Sequence, residues 1–110
     1  MLRESLTAVV ARNETWTGAS ATEPYEAGWA SEAVIFVRAL EAAKGEMAQA
    51  FVEISPDGMR WIREGASLVL PAQADDLAVA RVSHFGNWLR LAATLPDGAE
   101  CTLLVTLHLK

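Results

Sequence analysis

The last ten residues, "CTLLVTLHLK" (101–110), constrain this chain more than any other stretch. Cys101, Leu103, Val105, Leu107 and Leu109 alternate with Thr102, Leu104, Thr106, His108 and Lys110. A period of two sends successive side chains to opposite faces, so the pattern specifies a strand with one face in a core. That face needs a second layer to bury it, which points to stacked sheets. "LPDGAEC" (95–101) leads into this strand, and "SPDGMRW" (55–61) repeats its central tripeptide. In each, Pro suits the first central turn position, Asp bonds nearby backbone, and Gly supplies positive φ. Both read as hairpin-type reversals with a bulge, with Gly58 and Gly98 at positive φ.

Strand patterns occupy most of the remaining chain. Ala48, Ala50, Val52 and Ile54 alternate with Met47, Gln49, Phe51 and Glu53 before the first turn. Short strands are expected at Ser5–Ala11, Met59–Arg63, Ser67–Leu70, Leu77–Ser83 and Trp88–Thr94. Thr17 to Gly28, "TGASATEPYEAG", reads as a long loop reaching to about residue 30. "SEAVIFVRALEAAKGEMAQA" (31–50) has a serine cap and helix formers. The β-branched and aromatic run Val34–Val37 instead favours strand, connection, strand. Strands spaced every eight to twelve residues point to a β-sandwich or barrel. The expected fold is all-β, one antiparallel β-sandwich over 1–110, jelly-roll-like, with about eight strands. Val52, Ile54, Leu89, Leu91, Leu103, Val105 and Leu107 are the expected shared core.

Bulk properties exclude several function classes. Hydrophobic residues make up 52% of the 110 and charged residues 21%, which specifies a packed domain over a disordered tail. A net charge of -5, with nine scattered basic residues, gives no surface that would follow a phosphate backbone or an anionic membrane. No window reaches the roughly 18 apolar residues of a membrane helix, and no export signal is recognisable, so synthesis in a cytoplasm is expected. Cys101 is the only cysteine, which rules out an internal disulfide and a thiolate zinc site, and reads as a small buried hydrophobe.

No cluster of residues announces a chemistry. His84 and His108 have no partner at metal-ligand spacing. Asp75–Asp76 and the turn aspartates lack the several converging carboxylates that calcium requires. Neither catalysis, a cofactor nor a metal is expected. The four tryptophans carry more information. Trp61 and Trp88 fall at structural positions beside a turn and at a strand start. Trp16 and Trp29 bracket the long loop with Tyr25; packing into the core or its edges is the first expectation for them, and a surface platform for stacking sugars is the competing one.

From Gly28 onward, "SEAVIFVRAL", "VEISPDGMRW" and "FGNWLRLAATLPDGAECTLLVTLHLK" follow in an order that resembles small phage-type β-sandwich proteins, found as head-decoration or tail-associated components. The carrying features are the Ser-Pro-Asp-Gly turn before Trp61, the aromatic-led strand with a central arginine (Trp88, Leu89, Arg90) and the long final strand. The resemblance implies a non-catalytic structural domain in a virion or shell, one that forms a homo-oligomer, a trimer by preference, or docks on a larger capsid, shell or tail. Phe51, Leu104, Val34 and Phe36 are the candidate interface, because alternation places apolar side chains where a monomer would expose them. Within one chain, the 17–28 loop is the competing cover for them. The alternative function is a carbohydrate-binding module using Trp16, Tyr25 and Trp29.

Overall fold

Alternating apolar residues produce strands throughout the computed structural model, which describes residues 5–110. They are β1 (Leu6–Trp16), β2 (Ala19–Ala21), β3 (Tyr25–Glu26), β4 (Glu32–Ala39), β5 (Gln49–Ser55), β6 (Ile62–Val69), β7 (Leu77–Ser83), β8 (Trp88–Thr94) and β9 (Cys101–Leu109). Sheet I has the order β1-β9-β4-β7, and sheet II the order β2-β8-β5-β6 with β3 also on β8. Every pairing is antiparallel. Only β2–β3 and β5–β6 connect strands within one sheet, and every other connection crosses the sandwich, as in a jelly roll. Residues 1–4 of the expected domain lie outside the described residues.

The core lies between the sheets. Ile35, Val37, Val52, Leu89, Leu91, Leu103, Val105 and Leu107 are almost fully buried, and the other buried apolar side chains, Ala39 excepted, join them in one cluster. Six of the seven expected core residues sit there; Ile54 is half-buried at the rim, opposite Ile62. β9 lies between β1 and β4, so its inner residues have neighbours on both sides. That central place explains why its alternation is so regular.

The two Pro-Asp-Gly turns do different jobs, which corrects the expectation of two hairpins. Gly58 and Gly98 do take positive φ, 78° and 83°. The first turn joins β5 to β6 within sheet II, but the second carries the chain from β8 in sheet II to β9 in sheet I. The residue before each proline accounts for the difference. Ser55 stays with its own turn, its Oγ accepting from the Asp57 and Gly58 N–H groups at 3.2 and 2.9 Å. Leu95 is instead buried at 3% exposure, and its N–H donates to Gly18 O at 2.9 Å. Anchoring this apolar side chain draws the second turn across the core.

Three other expectations change in detail. The expected bulge lies away from the turn, inside β6. Phe51 pairs with Ser67 and Glu53 with Arg63, leaving extra residues around Gly65, whose φ is 126°. That bulge merges the two strands expected on either side of it. β1 runs on to Trp16 through two register shifts. The 17–28 loop contains β2 and β3, which edge sheet II, while Thr22 N–H donates to Leu91 O. Residues 31–50 are strand, connection, strand, with β4 and β5 in different sheets.

Candidate functional site: two contrasting outer faces

Antiparallel register determines which side chains share the outer face of sheet I. One row across the sheet reads Val9, Thr106, Phe36, Val79, and the next reads Thr7, His108, Val34, Arg81. Leu104, Arg38 and Leu77 form a third. Three of the four candidate interface residues, Val34, Phe36 and Leu104, therefore come together on one face. They are half-buried only because neighbouring strands shield them, whereas Leu77 is 64% exposed. Val9 and Val79 are exposed as well. The 17–28 segment edges the opposite sheet, so it does not cover this face.

Several polar groups on sheet I are engaged around that apolar centre. His108 packs edge-on against Phe36, with ring centroids 5.0 Å apart, and lies 3.3 Å from the hydroxyls of Thr7 and Thr106. Arg38 donates to Asp75 at 2.7 Å. At the far end Thr102 is covered, its hydroxyl 3.1 Å from Thr15 and donating to Glu41 at 3.2 Å.

Phe51 does not belong to this face. It lies on the outer side of sheet II beneath Arg63, whose guanidinium carbon stands 3.6 Å from the ring centroid. Beside it Arg90 bonds Glu53 at 2.7 Å and covers Trp61 at 4.2 Å. The Glu53 and Arg90 side chains are 18% and 26% exposed, so this pair is screened less than the surface pairs. Gln49 donates to Ser67 at 2.7 Å. A shallow groove of about 460 Å³ runs along these residues past Ala19, Ala92 and Thr94. Its charges and aromatic faces are already paired with one another.

The sugar platform of Trp16, Tyr25 and Trp29 is not assembled, which corrects that grouping. Trp16 closes β1 inside the core at 2% exposure, with its indole N–H donating to Glu14. Tyr25 is half-buried against the core, and Trp29 alone is well exposed. Trp88 packs over Gly58, whose missing side chain makes room for the indole.

Other singled-out residues have local roles. Asp57 Oδ1 accepts from the backbone N–H groups of Met59 and Arg60, and these bonds hold its carboxyl at about 2. Cys101 is buried, and burial followed by the neighbouring Glu100 charge pushes its thiol up, away from reactivity. His84 follows β7 in a left-handed conformation, and its backbone N–H donates to Ser31 O. Among the described residues no helix is long and apolar enough to cross a membrane. Sequence reading missed Val9, Leu77 and Val79 as members of the outer face. "LAVAR" is apolar at both parities, so only strand pairing assigns its sides.

No protein-family model matches the chain, and no curated protein matches it. Among solved structures, the chain is similar to the crystal structure of the SPBc2 prophage-derived protein YomS. The TM-score is 0.64 at 7% identity, over 99% of this chain and 96% of that one. The sandwich described above is thus a fold that a prophage-derived protein also adopts.

Proposed function

We propose that this protein is a non-catalytic assembly module of phage type, which self-associates or docks on a larger particle through the outer face of sheet I. The carrying observation is the contrast between the outer faces. Sheet II pairs Arg63 with Phe51 and Arg90 with Glu53 and Trp61, its exposed Ile62 and Val69 standing apart at the two ends of edge strand β6. Sheet I presents Val9, Val34, Phe36, Leu77, Val79 and Leu104 joined across four strands, and none of the described segments lies over them. Joined apolar positions of this kind mark interaction sites in soluble proteins. The fold likeness to a prophage-derived protein supports the phage-type part of the reading. The carbohydrate alternative loses support because Trp16 is inside the core.

Matched charge substitutions on the two faces test the proposal. Phe36→Glu should weaken self-association in sedimentation velocity, while Phe51→Glu should leave it unchanged. Equal effects from both variants, or loss with Phe51→Glu alone, would place the contact elsewhere.

A further inference from the structure

Sheet edges present unpaired N–H and C=O groups, which folded proteins blunt with short strands, bulges or charge. Three of the four edges here are blunted. β1 shifts register between Val9 and Ala11 and again before Glu14, with Asn13 at φ 51°. β6 carries the bulge at Gly65. The edge beyond β8 is split into β2 and β3, of three and two residues. β7 is different. It pairs with β4 without a shift from Arg38↔Leu77 to Glu32↔Ser83, and "LAVARVS" contains one charge and neither Pro nor Gly.

Hydrogen bonds at its two ends determine which backbone groups point away. Ala39 N–H donates to Asp76 O, and His84 N–H donates to Ser31 O. Bonded and non-bonded pairs alternate along an antiparallel ladder. Ala78, Ala80 and Val82 therefore exchange bonds with β4, and Leu77, Val79, Arg81 and Ser83 turn their N–H and C=O groups outward. All four of these residues are exposed.

We propose that β7 pairs with β7 of a second copy, antiparallel about a two-fold axis at Ala80, making one continuous sheet from the two sheets I. In that register Leu77 meets Ser83 of the second copy and Val79 meets its Arg81, so each outward residue forms both of its bonds. No like charges stand opposite each other. Toward the core, Ala80 meets Ala80 and Ala78 meets Val82, small enough for the strands to close. β6 of sheet II approaches β7, and at the Ser83 end its Glu64 lines the same groove as Arg81, placing an acidic residue on the side of that cation. A two-fold contact of this kind closes on itself, so the smallest assembly is a dimer rather than the trimer implied by resemblance. The inference rests on the self-association reading but uses the edge of sheet I instead of its face.

Amide exchange followed residue by residue by NMR, on the wild-type chain at low and high concentration, tests the pairing. The Val79 and Arg81 amides should slow as the mass doubles from 11.9 kDa, while Ala78 and Ala80 stay slow at both concentrations. Fast Val79 and Arg81 amides in a dimer, or a trimer, would overturn the edge proposal and leave the outer-face reading standing. A monomer throughout would remove self-association altogether. Slow edge amides in a dimer that survives Phe36→Glu would support the edge and remove the face as the self-association surface. Val79→Pro deletes one outward N–H without touching the β4 ladder. It should abolish the dimer while keeping the thermal unfolding transition, and a folded variant that still dimerises would overturn the proposal.

Discussion

Asp57 and Gly58 show how much a turn depends on single groups. Backbone bonds from Arg60 and Met59, with Ser55 adding a third, hold the Asp57 carboxyl at about 2 against an ordinary 3.8. A folded value below the unfolded one stabilises the fold fully above pH 3.8, and that contribution is lost as pH falls through about 2. An NMR titration should place the Asp57 midpoint near 2, and Asp57→Asn should flatten the stability profile over that window. A midpoint near 3.8 would mean that the turn bonds are not kept in solution. Gly58 and Gly98 share positive φ but not surroundings. A Cβ on Gly58 would come within 3.1 Å of the Trp88 ring, whereas one on Gly98 meets nothing. Gly98→Ala should cost about 1 kcal/mol through backbone conformation alone, and Gly58→Ala roughly 2 kcal/mol or more, measured by denaturant unfolding.

Strands differ in how openly they declare themselves, and pairing decides which. β9 was legible because it lies in the middle of its sheet with one face in the core; Leu103→Ala there should cost about 2–5 kcal/mol. Leu104→Ala, one residue away on the outer face, should cost less than about 1 kcal/mol in the same unfolding experiment. Equal costs would show that the face is covered within one chain. β1 was legible only to Ala11, because its bulges bury Val10 and Ala11 side by side and end the alternation. β2 and β3 are too short to carry a period at all. The second Pro-Asp-Gly was legible as a bend, but the bend does not state which sheet receives the next strand; burial of Leu95 settles that. Val34, Phe36 and Leu104 stood out as apolar residues on the polar side of their strands. Their neighbours Val9 and Val79 join them only through register, which no single strand contains.

At the scale of the molecule, two sheets of one sandwich have taken on opposite outer surfaces. Sheet II is finished by arginines laid over Phe51 and Trp61 and by the Glu53–Arg90 pair. Sheet I leaves an apolar centre and an unblunted edge at β7 on adjoining parts of one surface. Contacts built from apolar side chains and backbone hydrogen bonds should resist salt, while contacts built from surface ion pairs would be screened. Light scattering after size exclusion, on the wild-type chain over a range of concentrations at low and high salt, shows whether sheet I assembles the protein. The mass should rise with concentration to a multiple of 11.9 kDa and persist at high salt. A sharp monomer of 11.9 kDa under every condition would contradict self-assembly and return attention to Trp29 and a sugar ligand.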